Sequence, residues 1–196
     1  MYQFVKRGID FTISFVACVV LSPIFIMIAV LIKADSKGPI FFGQERVGKD
    51  KKNFIMYKFR TMRVDTPHDT PTHLLEDPDK YITRIGTILR KTSLDELPQL
   101  IHILSGKMAI VGPRPALWNQ FDLIELRDQY GANSLRPGLT GWAQVNGRDE
   151  LSLEKKSELD GEYVKKVSLS FDIFIFFKTI TSVFHGKGIH EGKLNE

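Results

Sequence analysis

The chain has a single cysteine, Cys18, in 196 residues, which excludes an intramolecular disulfide and fits a reducing compartment. Because Cys18 lies in an apolar run, it serves there chiefly as a small hydrophobe. Internal repeats and low-complexity tracts are absent. The run that holds Cys18, Phe11 to Ile32, has no charged residue, and no small-x-small cleavage pattern precedes Lys33-Ala34-Asp35. It is also too long for a secretory signal, so it is expected to stay attached. A regular set of metal ligands is lacking too. His68, His73, Asp65 and Asp69 fall in the polar stretch Val64 to Lys80, whose three prolines describe a long loop rather than a helix presenting paired ligands. A plain solvent-exposed loop is expected there, with a lid over a site as the other role such a loop can play.

What is present describes a folded protein. Hydrophobic residues make up 43% and charged residues 26%, a balance that excludes a disordered chain, and the length suits one ordinary domain with a real core. A formal charge of +4 favours anionic partners: nucleic acid, a lipid surface or phosphorylated small molecules. As a straight helix, Phe11 to Ile32 would be about 33 Å long, enough to reach across a bilayer core. Ser22-Pro23 interrupts it, since proline frees the carbonyl of Val19 and crowds the preceding turn. A kink is expected, with the Ser22 hydroxyl placed to serve the freed carbonyl. Lys6 and Arg7 flank one end and Lys33 and Lys37 the other, so both ends are drawn to the cytoplasmic side. The residues alone allow a re-entrant helix or a kinked spanning one. Either divides the chain into a membrane-embedded part, 1–35, and a cytoplasmic part, 36–196.

From Pro39 the pattern changes. PIFFGQERVG and NFIMYKFRTM predict a β-hairpin around the turn Lys49 to Lys52, with Lys58 and Arg60 pointing together from the second strand. Ile85, Ile88 and Leu89 mark a short helix, and Leu97, Leu100, Ile101 and Leu104 mark another. KMAIVGPRP is a short strand running into a rigid loop. LWNQFDLIELRDQY is an amphipathic helix ended near Gly131, LRPGLTGWAQVNGRD a glycine-rich connection, and ELSLEKKSELDGEYVKKV a charged helix. The last segment, SLSFDIFIFFKTITSVF, is too apolar for an ordinary surface helix and belongs in the core or in a membrane interface. The fold class is α+β.

The stretch KTSLDELPQL sets two acids, Asp95 and Glu96, among leucines just before Pro98. Ser93 and Glu96 have capping-box spacing, and Pro98 is harmless only near a helix start, so local physics already accounts for acids here. The same position attracts phosphate, which would make Asp95 a nucleophile facing a polyanionic substrate. A carboxylate that attacks phosphorus needs cations or a divalent metal on the phosphoryl oxygens. The chain offers Arg90, Arg114 in GPRP, Arg136 in RPG and Arg148 in NGR.

Taken together and in order, Lys6-Arg7, the apolar run with Ser22-Pro23, YKFRTM, RKTSLDELPQL, VGPRP, RPGLTGWAQVNGR and the closing aromatic helix resemble the bacterial sugar transferase family. Its small monotopic members are phosphoglycosyl transferases. The resemblance covers nearly the whole chain. It implies transfer of a phospho-sugar from a UDP-sugar to undecaprenyl phosphate, early in the assembly of capsule, exopolysaccharide, O-antigen or glycoprotein glycans. Asp95 would form the covalent intermediate, and Glu96 would help hold Mg²⁺ or the reacting groups, with Asp95 and Glu96 the metal-side acids. Arg90, Arg114 and Arg148 match positions expected to bind phosphate, while Lys58, Arg60 and Arg136 are secondary substrate-binding candidates. The resemblance also implies a re-entrant membrane helix, a bacterial cytoplasmic-membrane location with the catalytic part on the cytoplasmic face, membrane lipid as a partner and no nucleic acid. The competing readings are a membrane-bound phosphodiester hydrolase built on the same acids, and a noncatalytic membrane-anchored scaffold.

Overall fold

The computed structural model describes residues 2–66, 80–147 and 150–185; His68, Asp69, His73 and Arg148 lie outside the described residues. Two N-terminal helices, α1 (Tyr2–Val20) and α2 (Ser22–Asp35), meet at Leu21 with a bend of 60°. The bend has the cause expected from the sequence. Pro23 cannot donate to the Val19 carbonyl, and Ser22 Oγ does so instead at 2.8 Å. Among the described residues no single helix is long and apolar enough to cross a membrane, whereas the bent pair together is.

The hairpin follows as β1 (Phe41–Val47) and β2 (Asn53–Phe59), antiparallel, with Phe41 opposite Phe59 and Val47 opposite Asn53. Helices α3 (Arg84–Lys91) and α4 (Gln99–Leu104) flank the acid pair, and Thr83 caps α3 by accepting from the Gly86 N–H. Strand β3 (Ala109–Val111) pairs in parallel with β4 (Gly138–Thr140), and α5 (Phe121–Gln129) lies between them in the chain. The chain closes with α6 (Leu153–Lys166) and α7 (Leu169–His185). The architecture is α+β.

The main core gathers Phe54, Met56, Leu100, Ile103, Met108 and Tyr163 with Ile175 of α7. A second cluster joins Ile28 and Ile32 of α2 to Phe59 and Leu89, so the N-terminal pair is packed into the fold. Helix α1 is pinned by charge as well. Lys6 is buried, with Nζ 2.8 Å from Asp172 of α7 and 3.4 Å from Asp10. Tyr2 and Tyr163 donate to the same Asp172 carboxylate at 2.6 and 2.7 Å. Arg7 donates to the Ile103 and Leu104 carbonyls at the end of α4, at 2.6 and 2.8 Å. The two basic residues read as a topology signal are therefore also structural anchors.

Four local expectations are corrected. Lys58 and Arg60 do not point together: β2 ends at Phe59, and the Arg60 guanidinium turns back to the Ser36 and Lys37 carbonyls just beyond α2. In α4 the inward positions are Leu100 and Ile103, while Ile101 is exposed, because the helix starts only at Gln99 and its register follows from there. Ser93 makes no capping bond; it sits in a left-handed conformation at φ 55°. The glycine-rich connection contains strand β4, whose close approach to the β3 end requires Gly138, since a side chain there would collide with the Gly112 backbone. Helix α7 does two jobs: Asp172 and Ile175 face inward, while Ile173, Phe174, Phe176 and Phe177 are exposed.

Candidate active site

Asp95 and Glu96 occupy a single 3-10 turn, Leu94–Glu96, rather than the first turn of α4. Backbone bonds from Glu96 to Ser93, Leu97 to Leu94, Leu100 to Leu97 and Ile101 to Pro98 carry the tight winding into α4. Pro98 stands at the junction, where its missing N–H costs nothing. Asp95 is 9% exposed on this turn. Three residues now separate it from the start of α4, so its charge rests on neighbouring cations more than on a helix dipole.

Those cations come from separate elements. Lys58 of β2 places Nζ 2.7 Å from Glu96 Oε1 and 3.8 Å from Asp95 Oδ2. Arg114 Nη2 reaches the same Glu96 oxygen at 3.1 Å. Arg90, in the last turn of α3, is oriented by its Nε–H to Thr61 Oγ1 at 2.9 Å. Burial pushes the Asp95 carboxyl above its ordinary range; Lys58, Arg90 and Arg114 pull it back, and the Glu96 charge opposes them. The arrangement sets a partly desolvated carboxyl group among three cations, a setting chemically able to receive phosphate oxygens.

The Arg114 loop is fixed along its whole backbone. The carbonyls of Pro113, Arg114, Pro115 and Ala116 accept from Gly138 N, Arg127 Nη1, Arg46 Nη1 and Val47 N at 2.8, 2.9, 3.1 and 2.9 Å. Two prolines have no N–H to satisfy, and these four carbonyl bonds fix the loop. Arg127 is itself held by Asp160 of α6 at 2.6 Å in a buried pair. Arg46, meanwhile, takes Gln44 Oε1 at 2.6 Å. Burial and the like charge of Arg114 pull Arg46 down to about 9, against the pull of Glu96, which leaves it charged at neutral pH.

The structure thus brings Lys58, Arg90 and Arg114 to the acid pair. It takes Arg60 to the end of α2, and Arg136 to the Gly106 carbonyl at 2.9 Å, beside α1. Arg46, Thr61, Arg127, Asp160 and His102 were missed by sequence reasoning. Strand alternation carried one usable signal: Gln44 and Arg46 share a face of β1, and the backbone bridge from Arg46 to Leu117 sets the edge of that strand beside the Arg114 loop, where Arg46 Nη1 reaches the Pro115 carbonyl. Nothing local marks the others.

Among the described residues no cluster of three or more metal-ligating side chains exists. Two adjacent carboxylates nevertheless fit Mg²⁺, which takes hard oxygen ligands and is commonly held by one or two acids together with substrate phosphates and water. Among the described residues no histidine or cysteine joins them.

Residues 1–186 match the family profile described as bacterial sugar transferase. The chain belongs to that family. An N-acetylgalactosaminephosphotransferase of Aeromonas hydrophila, named for UDP-N-acetylgalactosamine and undecaprenyl phosphate, is 39% identical over 96% of this chain and 45% of its own. The exopolysaccharide production protein ExoY of Sinorhizobium fredii is 36% identical over 93% of this chain and 87% of its own. The UDP-glucose:undecaprenyl-phosphate glucose-1-phosphate transferase of Escherichia coli is 38% identical over 96% and 42%. This family member therefore spans less than half the length of two of these relatives and most of the third.

Proposed function

We propose that this protein moves a phospho-sugar from a UDP-sugar to undecaprenyl phosphate, giving undecaprenyl-diphospho-sugar and UMP, at the cytoplasmic face of the bacterial membrane. The observation that carries the reading is the desolvated Asp95 carboxylate set among Lys58, Arg90 and Arg114, in a chain of this family. The relatives' names supply the substrate class.

In this reading Asp95 attacks the sugar-proximal phosphorus. A P–O bond to the carboxylate forms, the P–O bond to UMP breaks, and UMP leaves with the electron pair. The lipid phosphate then attacks the same phosphorus and releases Asp95, so the kinetics are ping-pong. Arg114 and Arg90 take the phosphoryl oxygens, and Lys58 shares its charge between substrate and Glu96. Asp95 and Glu96 would hold Mg²⁺, which supplies charge screening for the phosphates and for the departing UMP.

The bent α1–α2 pair enters one leaflet and returns, keeping both flanks cytoplasmic and the acid turn at headgroup depth. Exposed Phe15, Val20, Ile26 and Val30 favour this reading, as do Phe174 and Phe177 of α7 lying along the interface. Incubation with undecaprenyl phosphate and a panel of UDP-sugars tests it. UMP with a lipid-linked sugar is expected; free sugar phosphate formed without acceptor would identify a hydrolase instead.

A further inference from the structure

The acid-bearing segment and β2 are joined twice, and only one joint is ionic. Lys58 grips Glu96. One residue earlier, the Tyr57 N–H points away from β1 and donates to His102 Nε2 of α4 at 2.9 Å. Two adjacent residues of β2 thus hold positions 96 and 102 of one continuous helical stretch. His102 is buried. Tyr57 stacks on its ring at 5.7 Å and 12°, and Phe54 meets it edge-on at 5.6 Å and 66°. An imidazole that accepts at Nε2 is neutral, with its proton on Nδ1. Protonation would set one N–H against another and break the joint.

We propose that neutral His102 is a positioning residue: by accepting the Tyr57 N–H it fixes β2 on α4 and so sets Lys58 against Asp95 and Glu96. The inference deepens the transferase reading and rests on it. Burial, helped by the Lys107 charge, pulls His102 below its ordinary value, which keeps it neutral near pH 7. The charged or titratable groups around it are the Tyr57 phenol from β2, Lys107 after α4, and Arg7 from α1, bonded to the next two carbonyls. Of these, the Lys107 charge disfavours the imidazolium.

The test uses the full chain in nanodiscs with two variants. His102→Gln keeps an acceptor that does not titrate, and His102→Phe keeps a ring with no acceptor. Amide exchange at Tyr57 and UMP release are measured between pH 5 and pH 8. At pH 7.5, His102→Phe is expected to lower both the Tyr57 protection factor and kcat/KM about tenfold, the scale of one buried hydrogen bond. His102→Gln should keep both within a few-fold and flatten the acid limb expected of the wild type. Lost protection in His102→Phe with unaltered turnover would overturn the positioning role, as would an unchanged acid limb in His102→Gln. A wild type that releases no UMP from any UDP-sugar would overturn the transferase reading instead, and the protection data would then decide alone whether neutral His102 holds β2.

Discussion

At the scale of single residues, Lys58 shows how much a position depends on its strand. Its side chain reaches Glu96 only because β2 still runs at residue 58; two residues later the same alternation fails, and Arg60 serves α2. Replacing Lys58 by Met should lower kcat/KM by about 10²-fold or more, the usual cost of losing one preorganised charge on a reacting group, as steady-state UMP release would show. Asp160 lies further from the acids and acts through Arg127 on the Arg114 carbonyl. Asp160→Leu strands a buried guanidinium, so unfolding by denaturant should show a loss of about 3–5 kcal/mol. His102 adds a pH dependence of known sign. Its folded pKa is depressed, so below about pH 6.5 the unfolded chain binds the extra proton and stability falls with pH, less so in His102→Gln. Asp95, Glu96, Lys58 and Arg114 were legible in the sequence because each is a charged residue in a short, proline-marked or alternating motif. His102 and Asp160 were not, because their roles depend on partners that are 45 and 33 residues away.

At the scale of elements, the helix bend was legible to the atom. A proline inside an apolar run frees one carbonyl, and the preceding serine is within reach of it. Under the proposed re-entrant arrangement, Pro23→Leu restores the missing donor and should straighten α1 and α2 toward one span, carrying the N-terminal end across the bilayer at the cost of the Tyr2, Lys6 and Arg7 anchors. Labelling of a cysteine introduced at Tyr2 from either side of the membrane would report the change. Helix α3 sits on the strand end through Gly86, where a side chain would run into the Thr61 carbonyl. Gly86→Ala is therefore expected to destabilise the fold by about 1–3 kcal/mol, as overpacking does, and to weaken substrate binding by moving Arg90 off Thr61. Strand β4 was not legible: three residues of a glycine-rich segment carry no alternation to read, and the strand exists because β3 offers it an edge.

At the scale of the whole molecule, the fold builds an apolar exposed surface and an enclosed acid site. Lys6 and Tyr2 lock α1 to Asp172 of α7, with Tyr163 of α6 on the same carboxylate, leaving the outer sides of α1 and α7 apolar and exposed. The acid turn, meanwhile, is enclosed by β2, α3 and the Arg114 loop. Family membership was legible because the motifs stand in order along almost the whole chain. The central claim is that Asp95 becomes covalently attached to the phospho-sugar. Intact-protein mass spectrometry after incubation with UDP-sugar and Mg²⁺, without the lipid acceptor, tests it most directly. The account predicts one phospho-sugar per chain, mapped to Asp95, with an equivalent of UMP released, and no adduct in a folded Asp95→Asn variant. Turnover to lipid-linked product with no adduct on the chain, or sustained turnover by Asp95→Asn, would contradict it.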